Sequence, residues 1–191
     1  MNYPNGIKQI QTKNIHYDNR GMSLESDINL TNRYYIDNNI AFIYKKPTPI
    51  QITKVDFKNK NKVIIKEAFF KEPSTTDYNG LYKGKYIDFE AKETNNKTAF
   101  PISNIHKHQI NHIKNIHYNK GIAFLIVRFN SINTTFLLTA EHFLNFIENN
   151  DRKSIPIDYF MKNAFRIEEN YNIRLNYLKI IDKLLEVPNG K

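Results

Sequence analysis

The sequence predicts an α/β fold, a mixed β-sheet flanked by helices, with a hairpin inserted into it. Three observations lead there. Apolar runs of strand length, rich in β-branched and aromatic residues, are interspersed with stretches whose apolar residues recur at helical spacing. One run, Ile122 to Phe129, is almost continuously apolar, as a strand covered on both faces must be. Between Lys45 and Lys71 two moderately apolar runs flank the basic turn Asn59-Lys60-Asn61-Lys62, and Pro47 and Pro49 detach them from what precedes. At 191 residues and 40% hydrophobic content, the chain has the size of one domain with a real core.

The elements follow in order. Residues 1 to 18 are polar, with Pro4 and Gly6 and no sustained periodicity, and read as a flexible arm; residues 19 to 191 read as a single domain. Leu24, Ile28, Thr31 and Tyr35 lie at helical spacing, which predicts a helix over residues 20–38 with Ser23 as its cap. Ile40 to Tyr44 reads as a short buried strand. The stretch from 45 to 71 then forms the projecting, stalk-like hairpin. Pro101 and Ser103 precede Ile105, Ile110, Ile113 and Ile116, a helix ending near Gly121. The central strand Ile122 to Phe129 turns at Asn130-Ser131 into a second strand, Thr134 to Thr139, and Ala140 to Ile147 is helical. A last helix around Leu178, Ile181 and Leu185 stops at Pro188 and Gly190.

Lys and Arg number 28 against 19 Asp and Glu, a formal charge of +9, which points to a polyanionic partner, nucleic acid first. No apolar run approaches the roughly 20 residues of a spanning helix, and the N-terminus lacks the apolar core of an export signal. A cytoplasmic protein without membrane contact is expected. The chain has no Cys, which excludes disulfides and thiolate chemistry. In the insertion, Lys45, Lys46, Lys58, Lys60 and Lys62 could meet phosphates. Phe57, Phe69 and Phe70 interleave with charge there and suit stacking on unpaired bases.

The chemistry concentrates in Tyr86-Ile87-Asp88-Phe89-Glu90-Ala91-Lys92. Strict alternation turns Ile87, Phe89 and Ala91 to a core and puts Asp88, Glu90 and Lys92 on the opposite face. If Lys83-Gly84 forms a two-residue hairpin loop, Tyr82 faces Lys85, Asn79 faces Asp88, Asp77 faces Glu90 and Thr75 faces Lys92. Opposed carboxylates at Asp77 and Glu90 would repel unless a cation lay between them, and a hard divalent ion resolves the conflict. The dipeptide Asn79-Gly80 is a competing turn that would pair Asp77 with Tyr82 and separate the two acids; the turn at Lys83-Gly84 is preferred because it brings every acidic residue of the segment to one place.

Asp77 followed by Glu90-Ala91-Lys92 resembles the PD-(D/E)xK nuclease motif, with Thr76 where proline is usual. Four ordered blocks are similar to RecU-type Holliday junction resolvases: Asn19-Arg20-Gly21-Met22, Lys45-Lys46-Pro47-Thr48-Pro49, Ser74 to Gly80, and Tyr86 to Thr94. The resemblance implies a restriction-endonuclease-like core and a crossover junction endodeoxyribonuclease. It implies Mg2+ held by Thr75, Asp77, Glu90 and Gln109, and Lys92 as transition-state stabiliser. Asp88 would ligate a second ion or steady the first one's surroundings. Four-way DNA junctions are the implied substrate, in recombination and repair. The symmetry of paired cuts implies a homodimer, and a RecA-type recombinase is a further expected partner.

His106, His108, His112 and His117 crowd one helix, and His108 with His112 has the spacing of a zinc pair, but no third ligand follows at a suitable interval. Glu25 on the first helix is read as solvent-facing. Two other readings compete with the junction resolvase: another PD-(D/E)xK DNA endonuclease, and a non-catalytic protein that binds DNA or modulates a recombinase.

Overall fold

Helix α1 (Leu24–Asp37) begins where the Ser23 side chain accepts a hydrogen bond from the Ser26 amide at 3.2 Å. This cap satisfies one of the first-turn donors that no helical carbonyl reaches. The face predicted from spacing is the buried one, Leu24, Ile28, Thr31 and Tyr35. The computed structural model describes residues 23–59, 62–70, 75–170 and 173–186, except the side chains of residues 58, 59 and 62. The expected arm, the block from Asn19 to Met22, Lys60, the side chains of Lys58 and Lys62, and the stop at Pro188 and Gly190 lie outside the described residues.

Strand β1 (Phe42–Lys45) starts two residues later than the apolar run suggested, and only Ile43 in it is buried. The insertion forms β2 (Ile50–Asn59) and β3 (Lys62–Phe70), an antiparallel two-stranded sheet separate from the main one, with register irregularities between Ile52 and Asn59. Lys66 pairs with Asp56 at 2.8 Å and Lys54 with Glu67 at 3.5 Å along it. Phe57, Val63, Phe69 and Phe70 are all exposed.

Strands β4 (Tyr78–Tyr82) and β5 (Lys85–Thr94) are joined by Lys83-Gly84, whose φ angles of 47° and 73° are those of a type I′ turn. Tyr82 faces Lys85, Asn79 faces Asp88 and Tyr78 faces Phe89, so the competing turn at Asn79-Gly80 does not form. Gly80 has a different reason to be glycine. A Cβ there would lie 2.1 Å from the Phe42 carbonyl oxygen and 2.5 Å from Ile43 Cα, so its absence lets β1 pair against β4.

The rest of the chain adds β6 (Ala99–Pro101), α2 (Lys107–Tyr118), β7 (Ile122–Phe129), β8 (Thr134–Thr139), α3 (Ala140–Asn149), β9 (Ser154–Pro156), α4 (Ile157–Asn163), β10 (Phe165–Arg166) and α5 (Leu178–Glu186). The main sheet has the order β1-β4-β5-β7-β8-β10, and β6 pairs with β9 apart from it. Strands β5 and β7 are parallel and central, and the other pairs are antiparallel. Their crossover runs through α2, as parallel neighbours require. On one face Ile87, Phe89, Phe124 and Ile126 pack with α1 and α5; on the other Leu125, Val127 and Phe129 pack with α2, α3 and α4. Tyr78, Phe89 and Phe124 stack across three strands at centroid distances of 4.8 and 4.7 Å. Burial on both faces explains why Ile122 to Phe129 carries so little polar signal.

Candidate active site

Alternation along β5 sends Asp88, Glu90 and Lys92 to the face that α2 covers. A wet polar face is the ordinary fate of such residues, but here both carboxylates are fully buried, at 0% exposure. Asp77 stands one residue before β4, and its amide donates to Glu90 Oε2 at 3.1 Å. Glu90 Oε1 lies 2.6 Å from Lys92 Nζ. Burial first, and then the adjacent Asp77 charge, push the Glu90 carboxyl up to about 8, against the opposing pull of Lys92. Two acids thus share one ammonium, with Glu90 buried and Asp77 and Lys92 half-buried.

Asp88 belongs to a second cluster on the same face. Its Oδ2 accepts from Lys46 Nζ at 2.7 Å, Tyr86 OH at 2.9 Å and His112 Nε2 at 3.1 Å, and its Oδ1 accepts from the Thr76 hydroxyl. Lys46 Nζ also donates to Thr76 Oγ1 at 2.9 Å. Three donors crowd one carboxylate oxygen and one meets the other.

Of the remaining predicted residues, Gln109 is buried in the first turn of α2, where its Oε1 accepts from the His106 amide at 2.9 Å. Thr75 directs its hydroxyl to the Thr76 carbonyl at 3.4 Å. Lys45 pairs with the exposed Glu25 at 2.6 Å. Phe69 and Phe70 stand exposed on β3, away from the carboxylate pair in the main sheet. Among the histidines, His112 joins the Asp88 cluster while the rings of His106 and His108 stack at 5.4 Å.

The amide of Leu24 donates to Glu93 Oε1, anchoring the start of α1 to β5. Beside it, buried Asp27 takes Arg128 Nη2 at 2.7 Å and Arg174 Nε at 2.9 Å. Tyr78 OH donates to Asn29 at 3.0 Å; burial, then the Glu25 and Asp77 charges, raise its pKa.

A divalent ion fits this donor set. Asp77 and the buried Glu90 would supply carboxylate oxygens, Thr75 and Gln109 neutral ones, and an all-oxygen set suits a hard cation. Among the described residues no three His, Cys, Asp or Glu side chains converge as a metal cage.

Sequence reasoning missed the partners of Asp88. Tyr86 was legible, two residues away on the same strand face. Lys46, Thr76 and His112 arrive from other elements and gave no local signal. The Asp27 network had one: Arg128 is the only charge in β7, and a lone arginine inside an apolar strand needs a buried acid.

The family model for Recombination protein U, RecU, matches residues 19–183. The Holliday junction resolvase RecU of Staphylococcus epidermidis is 48% identical over 97% of this chain and 96% of its own length. The protein of that name from Staphylococcus aureus strain JH9 matches to the same extent, 48% identity over 97% and 96% of the two chains. With the carboxylate pair, the lysine and the alternating strand in place across that match, the chain belongs to the RecU family.

Proposed function

We propose that this protein resolves four-way DNA junctions by paired, magnesium-dependent phosphodiester cuts, acting as a crossover junction endodeoxyribonuclease in recombination and repair. The observation that carries the proposal is the half-buried Asp77 held against the buried Glu90, two acids beside one ammonium, in a chain of net charge +9. The name its relatives carry, Holliday junction resolvase, gives the substrate class.

In this reading Thr75, Asp77, Glu90 and Gln109 hold Mg2+. When bound, the ion supplies Lewis acidity toward a phosphoryl oxygen and toward water. Lys92, its side chain 25% exposed and its ammonium beside Glu90, offsets charge that develops on the phosphoryl oxygens. The buried walls of Asp88 and Glu90 exclude bulk water, so each interaction counts for more than it would in solvent.

Residues 19 to 191 act as one domain from which the segment 45 to 71 projects, with Lys45, Lys58, Lys60 and Lys62 toward phosphates and the exposed Phe69 and Phe70 toward bases unstacked at the junction centre. A four-way junction has approximate two-fold symmetry, which a homodimer with isologous contacts matches. A RecA-type recombinase is the expected protein partner, in the cytoplasm. No helix among the described residues is long and apolar enough to cross a membrane.

The test is cleavage of labelled synthetic junction and linear duplex with and without magnesium. Symmetric cuts in the junction, dependent on the metal and far slower in duplex, are the expected result. Equal rates on both substrates would instead favour a general endonuclease. Binding that magnesium does not convert into cleavage would favour the non-catalytic reading.

A further inference from the structure

Both roots of the inserted hairpin end on one buried carboxylate. The chain leaves β1 at Lys46 to enter the insertion and returns through Thr76 to the metal-ligand candidate Asp77. Lys46 Nζ donates to Asp88 Oδ2 at 2.7 Å and to Thr76 Oγ1 at 2.9 Å, and Thr76 donates to Asp88 Oδ1. The Lys46 amide also donates to the Asp77 carbonyl at 2.8 Å. Asp88 is fully buried on β5, next but one to Glu90 and on the same face; Tyr86 and His112 also donate to its Oδ2. The Lys46 side chain is 16% exposed, so its charge is directed inward.

From this we propose that Lys46, Thr76 and Asp88 form a clasp that couples the position of the hairpin to the ligand-bearing segment Thr75 to Asp77. These are positioning residues: they act through Asp77 and Glu90. Three of the four donors meet Asp88 on Oδ2 and Thr76 alone meets Oδ1, so both oxygens are tied to the surrounding elements. When a junction seats the hairpin, the clasp sets the Asp77 carboxylate against Glu90; when linear duplex leaves the hairpin unengaged, that setting is not enforced. The clasp is therefore a determinant of selectivity for junctions at the cleavage step, and it rests on the nuclease reading above.

The experiment measures single-turnover cleavage of junction and linear duplex, with saturating magnesium, for the wild type, Lys46→Met, Thr76→Val, Thr76→Ser and Glu90→Gln. A misplacement of about an ångström at a reacting centre costs on the order of 100-fold. Lys46→Met and Thr76→Val are each expected to slow junction cleavage by roughly that factor, to change duplex cleavage much less, and to leave junction affinity and its salt dependence as in the wild type. Thr76→Ser, which keeps the hydroxyl, should retain the wild-type rate. Thr76→Val, nearly isosteric, reads the clasp even should Lys46→Met not fold.

Equal slowing on junction and duplex would overturn the clasp, since a merely structural role lowers both. So would wild-type junction cleavage by Lys46→Met, or a salt slope shallower by about one for that variant, which would make Lys46 a phosphate contact. Should Glu90→Gln cleave normally, the nuclease site itself fails and the clasp with it. A dead Glu90→Gln beside a fully active Lys46→Met removes the clasp alone.

Discussion

Glu90→Gln should make the metal-free protein more stable, by a margin that opens as pH rises from the ordinary carboxyl range to about 8. The carboxyl titrates near 8 in the fold against an ordinary 4.5, through burial and the Asp77 charge. Between those two values the folded state holds a proton that the unfolded chain has released, so wild-type stability falls as pH rises across that window. The difference corresponds to about 5 kcal/mol lost by pH 9. Gln has the shape of the protonated acid and no proton to lose, so the variant escapes this loss. For a chain of this size about 1 kcal/mol moves the melting temperature by roughly 2 to 4 °C. In EDTA the two proteins should melt together near pH 5, and the variant should melt roughly 10 °C or more above the wild type at pH 9. Magnesium should narrow that gap by binding the folded wild type, and should not move the variant. Differential scanning calorimetry from pH 5 to pH 9 measures this. A gap that does not grow with pH would refute the account of Glu90 as a buried acid held near neutrality by its surroundings.

Asp77→Asn should abolish cleavage while junction binding persists, since it removes metal-binding charge and leaves the basic surface intact; retained cleavage at ordinary magnesium concentration would take Asp77 out of the site. Lys92→Ala should lower single-turnover rates by about 100-fold or more with magnesium binding preserved by calorimetry, and an unchanged rate would assign the lysine elsewhere. Gly80→Ala should cost about 1 to 3 kcal/mol or more in urea unfolding, because the new methyl meets β1 backbone that cannot rotate away; an unchanged midpoint would contradict the packing of β1 on β4. Replacing Lys58, Lys60 and Lys62 together by Ala should flatten the salt dependence of junction binding by about 0.9 for each phosphate these lysines neutralise, and a parallel slope would show that they do not touch DNA.

The local pattern of the sequence determined much of what was found. Alternation at Tyr86 to Lys92 put the acids and the lysine on one face, since side chains in a strand change face at every residue whatever surrounds them. The Ser23 cap, the β7 and β8 runs and the placement of α2 also followed from nearest-neighbour chemistry. Strands β9 and β10 and helix α4 were missed because segments of three, two and seven residues are too short to display a period. Tertiary structure settled one choice that the sequence had posed and alone decided two more. The β4-β5 turn formed at Lys83-Gly84, as the gathering of the acids favoured, and Gly80 sits instead where β1 comes closest. The polar face of β5 became dry because α2 and the neighbouring strands cover it, and dryness is what moves Glu90. Asp88 acquired Lys46, Thr76 and His112 from residues 42, 12 and 24 positions away. A carboxylate's burial and its donors depend on which elements the fold stacks over it, and no window of local sequence contains that information.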